Sequence, residues 1–175
     1  MALHKTALGA IVLAALALTS AKASADDPDF VTLAGGWFDM NRQKDEAGEF
    51  RLEYRSDKKF LLFKPFGGVM ATSGGASYYY AGILIDVFLG RRVVATPSFA
   101  PGLYAKSSGY DLGHVIEFRS QFELAYRFDD RSRLGVSFGH MSNAGIGDKN
   151  PGTESLMLNY STPLSSLTGL FGANR

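Results

Sequence analysis

The sequence predicts an all-β protein, an eight-stranded antiparallel transmembrane β-barrel. Three observations predict it: long segments of strict two-residue alternation, connections that alternate between short and long, and an exported chain that contains no cysteine. From Ile116 to Phe128 the even positions are Ile116, Phe118, Ser120, Phe122, Leu124, Tyr126 and Phe128, and the odd ones are Glu117, Arg119, Gln121, Glu123, Ala125 and Arg127. Successive side chains of a strand point to opposite faces, so one face is apolar and the other charged. The same pattern recurs where Phe50, Leu52 and Tyr54 interleave with Arg51, Glu53 and Arg55. A greasy face opposite a face of mixed charge is the signature of a membrane barrel with lipid outside and ion pairs inside. A secreted β-sandwich is the bland alternative.

In chain order the strands fall at about 30–40, 49–56, 60–72, 77–89, 91–105, 114–128, 132–143 and 153–164. The third and fifth carry Pro65, Pro97 and Pro101, which lack the N–H that a sheet ladder uses. The connections Asp57 to Lys59, Gly90, and Asp129 to Arg131 are tight, whereas Asn41 to Gly48 and Lys106 to Gly113 are longer and polar. Short turns at one end and longer loops at the other match bacterial outer-membrane barrels, with the short turns periplasmic. Length limits the strand number, because twelve strands of about 10 residues with roughly 4 per connection would exceed the chain left after export. In a barrel of eight, side chains fill the interior, so Arg51, Glu53, Glu117, Arg119, Glu123 and Arg127 are expected to form a packed ion network. Trp37, Tyr78, Tyr79 and Tyr80 are candidates for interfacial girdles.

The first 25 residues read as an export signal, and 26–175 as the barrel. Lys5 lies in a short basic start, the apolar run from Ala7 to Leu18 is too short to span a bilayer, and Ala23-Ser24-Ala25 is a small-residue cleavage site. The chain carries 18 basic and 17 acidic residues; Lys5 and Lys22 fall in the signal, leaving 16 against 17 and a net charge of −1. That balance offers nothing to nucleic acid. Without cysteine there is no disulfide framework and no thiolate metal site.

Chemistry concentrates at the end of the seventh strand, in Phe138-Gly139-His140-Met141-Ser142-Asn143-Ala144-Gly145. Residues i and i+2 share a face about 6.6 to 6.8 Å apart at the backbone, which lets the His140 imidazole lean toward the Ser142 hydroxyl. A serine is inert at neutral pH until a base takes its proton. A third group should orient that base, and Glu154 opens the eighth strand directly across the loop. Placing His140 opposite Glu154 also pairs Val136 with Leu158 and Leu134 with Tyr160, which are sensible apolar partners. His140, Ser142 and Glu154 then share the lipid-facing parity, where charge is unfavourable unless a substrate arrives from the bilayer. The expected substrate is a lipid ester of the outer leaflet.

The backbone N–H groups of Asn143, Ala144 and Gly145, with the Asn143 amide, are candidates for an oxyanion hole, and Asn150 for holding the loop. Asp148 is a rival third member but sits in mid-loop beside Lys149, and His114 reads as a loop residue. Gly135-Val136-Ser137-Phe138-Gly139 matches the G-x-S-x-G pattern outside the strand-turn-helix setting which that elbow requires. No metal-ligand spacing stands out.

His140-Met141-Ser142-Asn143 followed by Glu154 resembles the PagL family of outer-membrane lipid A 3-O-deacylases, most closely over Phe138 to Leu164 and more loosely over the whole exported length. The resemblance implies an eight-stranded barrel that removes the ester-linked acyl chain at the 3 position of lipid A, using Ser142 as nucleophile, His140 as base and Glu154 as orienter. It implies no metal or other cofactor, the outer membrane and lipopolysaccharide as partners, and leaves homodimerisation open. The chain departs from the usual pattern in running past Leu164 to Arg175 instead of finishing on an aromatic residue. Two rival readings remain: an outer-membrane phospholipase, which also uses a His-x-Ser pair, and a non-enzymatic structural or adhesion barrel.

Overall fold

The computed structural model describes residues 27–41 and 45–172; the expected signal, residues 1–25, lies outside the described residues. The elements are β1 (Phe30–Phe38), β2 (Ala47–Arg55), β3 (Lys64–Thr72), β4 (Ser77–Leu84), β5 (Val87–Leu89), β6 (Val93–Ala105), β7 (Ile116–Arg127), β8 (Arg133–Ser142), β9 (Thr153–Pro163) and a helix α1 (Leu164–Gly172). Neighbouring strands run antiparallel in the order β4-β3-β2-β1-β9-β8-β7-β6, and pairing of β4 with β6 closes the sheet into an eight-stranded barrel.

Nine segments make eight barrel strands because β4 and β5 are one strand with a gap. Both pair with β6 in a single register, Leu84 opposite Ser98 and Val87 opposite Ala95, which sets Pro97 opposite Ile85. Ile85 N–H donates to the Pro97 carbonyl at 3.1 Å, and proline has no N–H to return the bond. Pro101 stands four residues further along with its nitrogen on the same side, and there the pairing skips from Tyr80–Gly102 to Ile83–Phe99. The β6–β7 ladder on the other side runs unbroken from Val93–Tyr126 to Leu103–Ile116. The prolines thus loosen one seam without ending the strand.

Alternation sorts the side chains as expected. Leu52, Phe122, Leu124, Val136, Phe138 and Leu158 are exposed on the outer wall. Inside, Glu53 is the hub: Arg119 Nη2 and the Tyr80 hydroxyl each donate to its Oε1 at 2.8 Å, and Arg55 donates to its Oε2 through Nε at 3.0 Å and Nη2 at 2.9 Å. Arg55 Nη2 also reaches Glu123 Oε2 at 2.8 Å. Gly68 makes room for this hub, since a Cβ there would lie 2.6 Å from the Leu52 carbonyl and 2.9 Å from the Tyr80 hydroxyl. Above the hub, Arg51 bonds Glu49 and Gln121. Toward the other end, Arg133 holds Asp27 (2.6 Å) and Asp86 (3.0 Å), and Lys64 joins Asp86 at 3.0 Å and Asp57 at 3.1 Å.

Several expectations change. Glu117 is fully buried but stands outside the ion network, joining no salt bridge among the described residues. Arg127 pairs with Asp27 at 3.5 Å and lies over the Phe88 ring, apart from the Glu53 hub. Tyr78 and Tyr80 point into the barrel because they alternate with Tyr79; Tyr78 donates to the carbonyls of Ala100 and Glu117, and Trp37 and Tyr79 alone of the four face outward. The third strand begins at Lys64, since Phe60–Phe63 forms a separate two-residue turn. The last strand ends at Pro163 and gives way to α1.

Removing one partner from a buried ion cluster strands the others, at a cost of about 3–5 kcal/mol. Glu53→Ala is expected to lower the unfolding free energy by about that amount in urea titrations of vesicle-embedded protein. A loss below about 1 kcal/mol, the range of an exposed pair, would contradict the packed-network account.

Candidate active site

The β8–β9 hairpin pairs Leu134 with Tyr160, Val136 with Leu158 and His140 with Glu154. This is the register expected from apolar pairing. The outward row of β8 runs Leu134, Val136, Phe138, His140, Ser142, so the two polar residues stand at the end of a lipid-facing apolar stripe. Their interior neighbours Gly139 and Met141 face the barrel core. His140 Nδ1 and Glu154 Oε1 are 3.0 Å apart. The imidazole is 45% exposed while the carboxylate is only 12% exposed. Glu154 is thus tucked against the wall, its Oε2 buried without a hydrogen bond, and His140 presents its other edge outward. With Nδ1–H donated to the carboxylate, the ring keeps its lone pair on Nε2. Ser142 is half-buried on the same face, two residues along.

Gly152 completes the wall of the site. It has φ +65°, and a Cβ built there would lie 3.0 Å from Cε1 and 3.6 Å from Nε2 of His140. A side chain here would crowd the imidazole and push it by a few tenths of an ångström, and the positive φ adds strain for any residue but glycine. The sequence signal, a glycine after Pro151 at a strand start, reads as ordinary turn chemistry and hides this contact.

Asn143 is the hub of the loop that follows Ser142, and it is fully buried. Its amide donates to the carbonyls of Leu112 (3.0 Å) and Lys149 (2.8 Å), and its Oδ1 accepts from Gly145 N–H at 2.9 Å. Its own N–H donates to Asn150 Oδ1 at 3.1 Å. Ile146 N–H returns to the Asn143 carbonyl at 3.2 Å, and Ala144 (φ +55°) and Gly145 (φ +80°) make this a turn with two left-handed residues. The donors of Asn143 and Gly145 are therefore engaged in building the loop. Of the oxyanion-hole candidates, the Ala144 N–H remains without a partner among the described residues. Asn150, through its bond from the Asn143 N–H, links the two ends of the loop.

Asp111 ties this loop to the β6–β7 loop through Lys106 (2.9 Å) and Lys149 (3.2 Å). Hydrogen bonds from Lys106, the Gly113 N–H and Lys149 hold its carboxyl well below the usual carboxylate range. Asp148 is exposed in mid-loop, away from the His140–Glu154 pair. His114 Nδ1 accepts from Ile116 N–H at 2.9 Å. Ser137 is buried in the lumen, where the Asn159 amide donates to its hydroxyl at 2.9 Å, which excludes it as a surface nucleophile.

The crystal structure of the outer membrane enzyme PagL superposes with a TM-score of 0.62 at 21% identity, covering 77% of this chain and 99% of that one. The lipid A deacylase PagL of Bordetella bronchiseptica (strain ATCC BAA-588 / NCTC 13252 / RB50) is 29% identical over 76 residues, 43% of this chain. That match spans 38% of the relative's length. The family described as "Lipid A 3-O-deacylase (PagL)" matches residues 33–163, nearly the whole barrel. The chain belongs to the PagL family of outer-membrane barrels.

Proposed function

We propose that this protein removes the ester-linked acyl chain at the 3 position of lipid A, with Ser142 as nucleophile, His140 as general base and Glu154 as orienter. The observation that carries the reading is the 3.0 Å His140–Glu154 contact on the lipid-facing wall, with Ser142 beside it on the same face. A half-exposed imidazole hydrogen-bonded to a carboxylate is unfavourable as decoration on a membrane surface and useful to a substrate that lies in the membrane. Family membership supports the choice of substrate.

In the proposed reaction His140 Nε2 takes the Ser142 proton as Oγ attacks the ester carbonyl carbon. The tetrahedral oxyanion then collapses, and the imidazolium returns that proton to the departing sugar oxygen. Water, deprotonated by the same imidazole, attacks the acyl-serine, and the imidazolium returns that proton to Ser142 Oγ as the C–Oγ bond breaks and the fatty acid leaves. Glu154 keeps the proton on Nδ1 and stabilises the imidazolium. With the Asn143 N–H committed to Asn150, the Ala144 N–H is the donor assigned to the developing oxyanion. Residues 1–25 act as the export signal, and the loop-bearing end that carries His140 faces the outer leaflet.

Mass spectrometry of lipid A from cells expressing the protein should show loss of one ester-linked acyl chain, and Ser142→Ala should restore the full mass. In detergent micelles Glu154→Ala should lower kcat/KM on the order of 10⁴-fold. An unchanged wild-type lipid A profile, or acyl release from phospholipid alone, would sink the assignment.

Gly152→Ala should displace the imidazole without unfolding the barrel. A Cβ 3.0 Å from Cε1 moves the imidazole by a few tenths of an ångström, less than the roughly 1 Å that costs on the order of 10²-fold, so kcat is expected to fall by less than that factor while KM changes little. The strain of an alanine in the left-handed region costs roughly 1–2 kcal/mol, which limits the change in unfolding free energy. Full kcat in this variant would contradict the role given to Gly152.

A further inference from the structure

The β2–β3 connection ends in a turn whose shape is set by two backbone bonds, Phe60 N–H to Phe63 O at 2.9 Å and Phe63 N–H to Phe60 O at 3.1 Å, with Leu61 at φ +59°. Phe60 (78%) and Leu61 (79%) are the most exposed large apolar side chains among the described residues, and Leu62 is 52% exposed. Turns facing water carry glycine and short polar residues, and this one carries neither. Lys58 and Lys59, both exposed, immediately precede it.

The turn does not stand alone. Asp29 anchors its base, accepting from Asp57 N–H at 2.7 Å and from the Tyr54 hydroxyl at 2.6 Å. The Asp29 carbonyl accepts from Leu164 N–H at 2.8 Å, so α1 leaves the barrel beside the turn. The helix sequence, LSSLTGLFG, contains no charged residue. The apolar turn and the helix α1, which has no charged residue, therefore leave the barrel at the same end, opposite His140. The exposed Phe60, Leu61 and Leu62 extend the apolar outer surface beyond the outward tyrosines Tyr54, Tyr126 and Tyr160, residues suited to a membrane interface.

We propose that the Lys58–Leu62 turn inserts into the periplasmic leaflet of the membrane, with Phe60, Leu61 and Leu62 at the acyl boundary and Lys58 and Lys59 on anionic phospholipid headgroups. Continuity with the lipid-facing wall supplies the apolar part, and charge complementarity with an anionic leaflet supplies the rest. Such an anchor fixes the height of the barrel, and with it the level of His140 at the opposite interface. The inference rests on the membrane orientation proposed above.

Trp37 is the only tryptophan, so Trp37→Phe provides a silent background. Into it go Leu61→Trp at the turn and, separately, Val136→Trp on the lipid-facing wall. Each is reconstituted in phosphatidylcholine vesicles with or without phosphatidylglycerol and read with lipid-borne nitroxides and aqueous iodide. The expected result is a blue-shifted Leu61→Trp emission, quenched by shallow nitroxides and shielded from iodide, more strongly in the anionic vesicles. Replacing Lys58 and Lys59 by Gln should remove that dependence on phosphatidylglycerol. Water-like emission quenched by iodide at position 61, with lipid quenching intact at 136, overturns the anchor and leaves the barrel's placement standing. Shielding that follows protein dilution instead of lipid assigns the turn to a second copy of the chain and likewise overturns the anchor. Absence of lipid quenching at both positions overturns the anchor together with the membrane reading.

Discussion

Closure of the sheet between β4 and β6 is the constraint on which the rest depends. In hydrocarbon an open edge would leave a row of unpaired backbone groups, each costing several kcal/mol, so the strands must pair all the way round. Once the sheet closes, alternation leaves each residue only two environments. Outward residues meet lipid and inward ones share a lumen with no room for bulk water. The seam tolerates Pro97 and Pro101 because their missing donors fall on the β4 side alone, while the β7 side stays fully bonded.

The inner environment explains the charge in a chain of this hydropathy. Glu53, Arg55, Arg119 and Glu123 would be prohibitively unfavourable singly, and they are satisfied because β2 and β7, facing each other across the lumen, bring opposite charges to the same level. The outer environment explains the site. On β8 the parity that turns Leu134, Val136 and Phe138 to lipid also turns His140 and Ser142 outward, and the hairpin register brings Glu154 against the imidazole. A rigid hairpin thus holds the proposed catalytic groups at the boundary between an apolar wall and a polar loop.

Much of this was legible in the sequence because it follows from a period of two and from one hairpin. The alternation in 116–128 separates lipid from lumen without reference to any other strand, and pairing Val136 with Leu158 settles where Glu154 falls. What was not legible depends on partners far away in the chain. Tyr78-Tyr79-Tyr80 has no polar neighbour to mark its inward face, and Tyr80 is fixed by Glu53 on another strand. Asn143 looked like an oxyanion donor because it follows Ser142, but carbonyls of Leu112 and Lys149 use its amide. Glu117 shares the parity of the ion network and none of its salt bridges among the described residues, a difference that period-two alternation does not carry. Gly152 gives no sign of its neighbour until His140 is in place.

The central claim is that a serine on the outer wall, activated by His140, performs the chemistry. Labelling the folded protein in micelles with a lipid-like fluorophosphonate, followed by peptide mass spectrometry, tests it most directly. The account predicts one adduct, on Ser142, that disappears in His140→Ala. Lipid A hydrolysis that continues with Ser142 unlabelled, or an adduct on another serine that blocks it, would contradict the account.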